Sequence, residues 1–325
     1  MGVYHLMGLG RSPGTVIGPL SYLAHRYQRW NKDDEQFFAR SGERAQRARG
    51  EKVGDVQALV LFTTCEVLTG DLPTYGYTDN PAGRIVQNPK QKGGPMKDVL
   101  RRLLKREWPG IAKGRTEGSI FWCEIDRRDI RDAYDKVVQV VTALAEVGGQ
   151  GKEMWVNLTG GNNVTNFALE LAANLSGEVA RLYYVQAENR ETECCVCFTA
   201  ENGYWVELPV MPLALGRLTL AILEMLAQES MDASTLYSRS CSQYYDLMHG
   251  LDSEEMLIAE YLIPMWKQGL IAETERGYVV GPQWELIQSY QERLEETRQI
   301  ASTIERLAQR ESWIEKEKIS LEAVL

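Results

Sequence analysis

The stretch Glu153-Met154-Trp155-Val156-Asn157-Leu158-Thr159-Gly160-Gly161-Asn162-Asn163-Val164 reads as an apolar strand running into a polar glycine turn and then into a helix. Apolar residues continue at helical spacing over 164–175, and 180–186 is strand-like again. Strand, turn, helix and strand in that order require a crossover, and a crossover makes the two strands parallel.

The same alternation extends outward from that unit. Residues 3–9 read as an apolar strand, Gly10-Arg11-Ser12-Pro13-Gly14 as a tight turn and 16–29 as a helix. A charged stretch, 31–55, leads to a second strand over 56–62 that ends in Thr63-Thr64, and a third strand spans 119–125 before a helix over 128–147. Residues 70–95, rich in Gly, Pro, Tyr and Asn, read as a long loop, and 96–107 as a basic helix. Segments 194–198 and 204–208 are expected to add a hairpin at one edge. The expected class is therefore α/β: a Rossmann-like, mostly parallel, doubly wound sheet over residues 1–210.

Past Pro209 and Pro212 the period becomes helical, over 215–228, 233–248 and 253–268. A short hairpin around Arg276-Gly277 follows, and the set has a winged-helix outline over 211–282. Small or apolar residues at Ile287, Tyr290, Leu294, Thr297, Ala301, Ile304 and Ala308 alternate steps of three and four. They predict a C-terminal helix within 283–325 that serves dimerisation or docking.

Composition narrows the classes further. With 325 residues, 44% of them apolar and 25% charged, the chain can bury the cores of about two domains, which excludes disordered and collagen-like classes. No apolar run has the length of a membrane span and no leader pattern opens the chain, so a cytoplasmic protein is expected. Six cysteines at irregular spacing are too few for a disulfide scaffold, and Cys194-Cys195-x-Cys197 on a strand would point to opposite faces. No metal site and no cofactor are expected. The net charge of −9 is uneven: residues 201–325 hold 10 basic against 21 acidic side chains, residues 1–200 hold 26 against 24, and 84–115 alone carries +8.

Two turns are equipped to hold a ligand at the carboxyl ends of strands, where ligands of open α/β sheets collect. The first offers Gly10, Arg11, Ser12 and Pro13. The second offers Asn157, Thr159, Gly160, Gly161, Asn162, Asn163 and Thr165, whose uncharged polar groups suit phosphate oxygens, ribose hydroxyls and base edges. Both sets are also ordinary turn and cap residues. A dinucleotide site is disfavoured, because Pro13 stands where the third fingerprint glycine is expected and Phe62-Thr63-Thr64-Cys65 where the ribose-binding acid is expected.

The Thr159-Gly160-Gly161 turn after a strand, with Gly8-Leu9-Gly10-Arg11-Ser12-Pro13 near the start, resembles the CARF domain, the CRISPR-associated Rossmann fold. The resemblance spans roughly residues 1–210, and a winged helix commonly follows in that family. It implies a homodimeric sensor of cyclic oligoadenylate, tetra- or hexa-adenylate, in type III CRISPR antiviral defence. It also implies a ligand site lined by the two turns, with Thr63 and Thr64 as a weaker addition. Some family members are metal-independent ring nucleases, in which a ribose 2′-hydroxyl attacks the adjacent phosphate to leave a 2′,3′-cyclic phosphate. By that analogy Ser12, Arg11 and Asn162 are the candidate catalytic residues, although Asn162-Asn163 stands where the family often has Lys. The HEPN ribonuclease fused to many members is absent as a motif, since no Arg lies five to seven positions before His5, His25 or His249.

Two other outputs stay open from the sequence: a ligand-gated winged-helix transcription regulator, and a non-enzymatic adaptor. The third helix of the winged-helix outline carries three Glu and one Lys, which opposes DNA binding.

Overall fold

The computed structural model describes residues 3–39, 56–72, 75–79, 85–111, 116–145, 153–176, 178–188, 197, 199, 201, 203–210, 216–284, 287, 288 and 303–321. The chain divides into two compact units, Met1–Pro212 with Glu296–Leu325, and Leu213–Glu295.

The first unit is mixed α/β, built on a seven-stranded, mostly parallel, Rossmann-like sheet. Its strands are β1 (Val3–Gly8), β2 (Val56–Thr63), β5 (Glu117–Glu124), β6 (Glu153–Asn157), β7 (Val179–Ala187), β8 (Gly203–Leu208) and β11 (Ile314–Ser320). Their order is β11-β5-β2-β1-β6-β7-β8. The five central strands are parallel, and β11 and β8 close the two edges antiparallel. Every residue of β1 is buried, as expected where helices cover both faces of a parallel sheet. Helices α1 (Gly14–Arg29) and α4 (Met96–Glu107) pack together, as do α5 (Ile130–Ala145) and α6 (Asn163–Ser176). Right-handed crossovers that run first one way and then the other from β1 produce that pairing.

Two expectations are corrected. Residues 70–95 are not only loop: β3 (Tyr75–Asp79) and β4 (Ile85–Lys92) form an antiparallel pair, with α2 (Lys32–Ala39) and the short α3 (Cys65–Thr69) the further helices of this half. The Gly, Pro and Asn content that reads as loop belongs to an irregular two-stranded ribbon whose register shifts between Tyr75 and Gly76.

The C-terminal tail is not one helix. Trp284, Ile287 and Gln288 are helical, Thr303 is extended and caps a separate helix, α11 (Ile304–Arg310), and Ile314–Ser320 becomes an edge strand on β5. Ile314 and Ile319 are buried there, while Glu315, Lys316, Glu317 and Lys318 supply the charge that keeps an edge from further pairing.

The basic segment is partly neutralised. Lys97 pairs with Glu315 at 2.7 Å, and Arg101 with Asp98 at 2.8 Å and with Glu317 at 3.0 Å. The glutamates of β11, counted along the sequence with the acidic third, lie against α4. Arg84, Lys113, Arg115, Cys194, Cys195 and the tail positions Tyr290, Leu294, Thr297 and Ala301 lie outside the described residues.

The second unit holds 13 acidic against 5 basic side chains, a net −8. It contains α7 (Arg217–Gln228), α8 (Ala233–Gln243), and α9 (Glu254–Leu257) continuing through a π-helical turn (Ile258–Leu262) into α10 (Ile263–Lys267). The antiparallel hairpin β9 (Ile271–Thr274) and β10 (Gly277–Val280) follows, and Met231 bridges Tyr278. Asp232 caps α8 through the Thr235 amide, and Ser253 caps α9 through the Met256 amide. A core of Leu223, Leu226, Leu236, Leu257, Leu262 and Ile271 joins these pieces. Among the described residues no helix is long and apolar enough to cross a membrane.

His5, in the middle of β1, is fully buried with Nδ1 2.8 Å from the Tyr183 hydroxyl. Burial, and then the Arg181 guanidinium, pushes its pKa down from 6.5 to about 3. The unfolded chain takes up this proton near 6.5 while the folded chain resists it, so the contribution is full above pH 6.5 and is lost as pH falls toward 3. We expect His5→Gln to remove an acid-side slope of roughly 1 kcal/mol per pH unit, checked by urea unfolding of both proteins between pH 7 and pH 4.5. Glu317, bound by Arg101 and by the Trp122 indole N–H at 2.9 Å, should cost about 1–3 kcal/mol on change to alanine. Glu315→Ala, at a 62% exposed side chain, should cost only a few tenths of a kcal/mol (~0.3) in the same assay.

Candidate functional site at the carboxyl edge of the sheet

Strands β2, β1 and β6 are neighbours, so the turns that follow them emerge side by side at one edge. The ladder continues into the turns: the Leu9 amide donates to Phe62 O at 2.8 Å and the Leu158 amide to Tyr183 O at 2.8 Å. After β1 the chain moves out to β2 and then β5, and it later returns to β6 on the other side. The β1/β6 boundary is therefore the point where the winding reverses, the usual ligand crevice of an open α/β sheet.

The two glycine turns touch each other at that boundary. A Cβ on Gly160 would lie 2.1 Å from Thr15 Cβ, and one on Gly8 would lie 2.6 Å from Gly160 O. Gly161 has φ +95° and passes over Gly8 Cα, a backbone shape that L side chains rarely adopt. Gly10 differs, with its nearest neighbour 3.9 Å from the ideal Cβ. Three of the four glycines thus serve contact between the turns.

Several polar residues assigned to the ligand from sequence hold this scaffold together. Asn157 is buried; its Nδ2 donates to Thr15 O at 3.1 Å and its Oδ1 accepts from the Thr159 amide at 2.8 Å. The Thr159 hydroxyl accepts from the Val185 amide at 2.8 Å, which anchors the turn to β7. Asn162 caps α6, its Oδ1 accepting from the Thr165 amide at 2.8 Å and from the Thr165 hydroxyl at 3.1 Å. The oxygen of Asn162 is therefore held in the cap, and Asn157, Thr159 and Thr165 each hydrogen-bond within the scaffold. Thr63 ends β2 with its hydroxyl buried and without a hydrogen-bond partner, and Thr64 starts α3.

What remains exposed above the scaffold is Arg11, Ser12 and Asn163. Helices α1 and α6 start there, neither has an acidic residue in its first turn, and α1 begins at Pro13 with no side-chain cap. Two positive helix ends and an arginine favour an anion. Sequence reasoning missed Tyr75 and Tyr77 of β3. Arg11 lies over the Tyr75 ring, 5.6 Å from its centre, and the Tyr77 hydroxyl lies beside Ser12. Burial pushes the Tyr77 hydroxyl up to about 12, so it stays protonated. The visible signal was Tyr75-Gly76-Tyr77 itself, two aromatics with strand spacing inside a stretch that composition marks as loop.

Beside these turns, at the ends of β2 and β5, a cleft of about 350 Å³ is lined by Thr64, Cys65, Glu66, Glu124, Arg127 and Arg128 among others. Glu124, then desolvation and the other nearby acids, raises the Cys65 thiol, which keeps it from acting as a thiolate nucleophile. A wider hollow of about 730 Å³ follows α11 and β11. Its charges are already paired, Lys316 with Glu305 at 3.3 Å and Arg310 with Glu311 at 3.0 Å, and it has no glycine turn. The β1/β6 edge is the better candidate on chemistry. Among the described residues no group of His, Cys, Asp and Glu could hold a metal ion.

A family model described as HFX_2341_N-like, N-terminal, matches residues 116–190, which run from β5 to the end of β7 and include the second glycine turn. An uncharacterized protein of Archaeoglobus fulgidus is 25% identical over 189 residues, 57% of this chain and 57% of that relative, so the match spans little more than half of either. Protein VC1899 from Vibrio cholerae has a solved structure similar at 11% identity with a TM-score of 0.30, over 95% of this chain and 69% of that one. That last likeness is too slight to bear on function.

If the glycines serve contact between the turns, Gly160→Ala should lower the unfolding free energy by about 1–3 kcal/mol through overpacking against Thr15. Gly10→Ala, in open space, should stay within roughly 0.5 kcal/mol. Equilibrium denaturation of the two variants compares them directly.

Proposed function

We propose that this protein binds a cyclic oligoadenylate at the carboxyl edge of its sheet, as a homodimeric CARF-like sensor of type III CRISPR defence. The observation that carries the reading is the pair of α1 and α6 N-termini, free of acidic first-turn residues, meeting at the β1/β6 boundary beneath Arg11 and Ser12. A ring of phosphates needs such fixed positive dipoles. The resemblance of the Thr159-Gly160-Gly161 turn to the CARF motif supplies the ligand class. A two-fold dimer would present each of these groups twice to a cyclic ligand of matching symmetry.

Ring cleavage would need only in-line geometry and charge stabilisation: the 2′-oxygen bonds to phosphorus as the 5′-oxygen leaves, giving a 2′,3′-cyclic phosphate and a 5′-hydroxyl. With the Asn162 oxygen committed to its cap, Arg11 is the group here that could stabilise the phosphorane charge.

For the output, helix, bridge, helix, helix and hairpin follow one another in the second unit as in a winged helix. On the third helix, Glu255 and Glu260 are exposed together with Ile263 and Trp266. An acidic face with exposed apolar side chains favours a protein partner over a nucleic acid, so the adaptor reading ranks above the transcription regulator.

Calorimetry with cyclic tetra- and hexa-adenylate tests the proposal. Binding of one ring is expected, and Arg11→Ala should weaken it by about 10-fold, the effect of losing one charge-assisted contact. Absence of binding by both rings overturns it. Chromatography of the same mixtures decides cleavage, and a gel shift with duplex DNA at low salt decides the regulator reading.

A further inference from the structure

The β3–β4 ribbon delivers an aromatic pair to the turn after β1. Tyr77 is 7% exposed, with its hydroxyl beside Ser12. Tyr75, two residues earlier, is 41% exposed, and the Arg11 guanidinium lies 5.6 Å from its ring centre. Residues two apart share one face of a strand, here the face toward Arg11 and Ser12. The ribbon closes tightly between them: a Cβ on Gly76 would meet Gln91 Cβ at 2.5 Å, and the pairing register shifts at this point. Tyr77 is therefore anchored against the site while Tyr75 keeps a large part of its ring in solvent at the rim.

An exposed ring beside a guanidinium, in the turn that leads into α1, separates two kinds of recognition. The helix ends and Arg11 suit phosphate, and they carry no information about a base. A tyrosine face suits a nucleobase, since stacking on aromatic side chains needs no hydrogen-bond code and gains from a neighbouring Arg. We infer that Tyr75 is the base-binding residue of this site, a stacking platform for a purine of a ligand whose phosphates lie at Arg11 and Ser12. Tyr77, buried two residues on, fixes the ribbon beside this site. This inference rests on the nucleotide reading above and assigns the ribbon a part in it.

The test uses cyclic tetra- and hexa-adenylate with one adenine replaced by 2-aminopurine, whose fluorescence falls when the base stacks. With wild-type protein, binding should quench the probe. Tyr75→Phe should bind within about twofold and quench equally, while Tyr75→Ala should lose about 5- to 100-fold in affinity and leave the bound probe bright. The thermal transition of Tyr75→Ala should match the wild type, because the ring is half in solvent. Wild-type protein that binds neither unlabelled ring overturns the nucleotide reading and this assignment with it. Wild-type binding with unchanged affinity and quenching in Tyr75→Ala overturns the assignment of Tyr75 alone. An equal loss in Tyr75→Phe and Tyr75→Ala would trace the effect to the hydroxyl and overturn stacking.

Discussion

The closest constraint in the sheet unit is the backbone contact between the turns after β1 and β6. Gly8, Gly160 and Gly161 let two strand ends and two helix starts meet where any side chain would collide with backbone or with Thr15. Asn157 and Thr159 then tie the turns to Thr15 and to β7 by part-buried hydrogen bonds. The contact also brings the starts of α1 and α6 together at one edge of the sheet.

A second dependence runs through the far end of the chain. Strand β11 covers β5, places Glu315 and Glu317 against Lys97 and Arg101 of α4, and takes a hydrogen bond from Trp122. The segment that binds α4 to the sheet arrives after the acidic helical unit, so that unit is an insertion with two connections to the sheet unit. Charge arguments follow the fold here. The +8 of residues 84–115 is lowered by carboxylates more than 200 positions away, and the strongest negative charge, −8, belongs to the inserted unit alone.

Much of the sheet was legible because parallel strands buried on both faces leave near-continuous apolar runs such as Leu59-Val60-Leu61-Phe62. The ribbon of Tyr75 and the strand of Lys316 were not legible for the same reason in reverse. Of the described apolar side chains the ribbon buries only Tyr77 and Ile85 and the edge strand only Ile314 and Ile319, too few to set a period, so their composition looks like loop or like a charged helix. Within the site, residue types were visible and their duties were not. Asn162 and Ser12 both read as ligand groups, yet one is a helix cap and the other lies exposed beside the Tyr77 hydroxyl.

The sequence by itself determined the alternation of strands and helices, the location of both glycine turns at strand ends, the change to a helical period near Pro212 and the absence of a dinucleotide fingerprint. These follow from local spacing, which a chain carries in its own order. Tertiary structure alone decided that the glycines face each other, that Arg11 and Ser12 meet two tyrosines some 60 positions away, and that the last strand returns to the first unit. Those are contacts between distant segments, whose partners are chosen by strand order and packing rather than by periodicity.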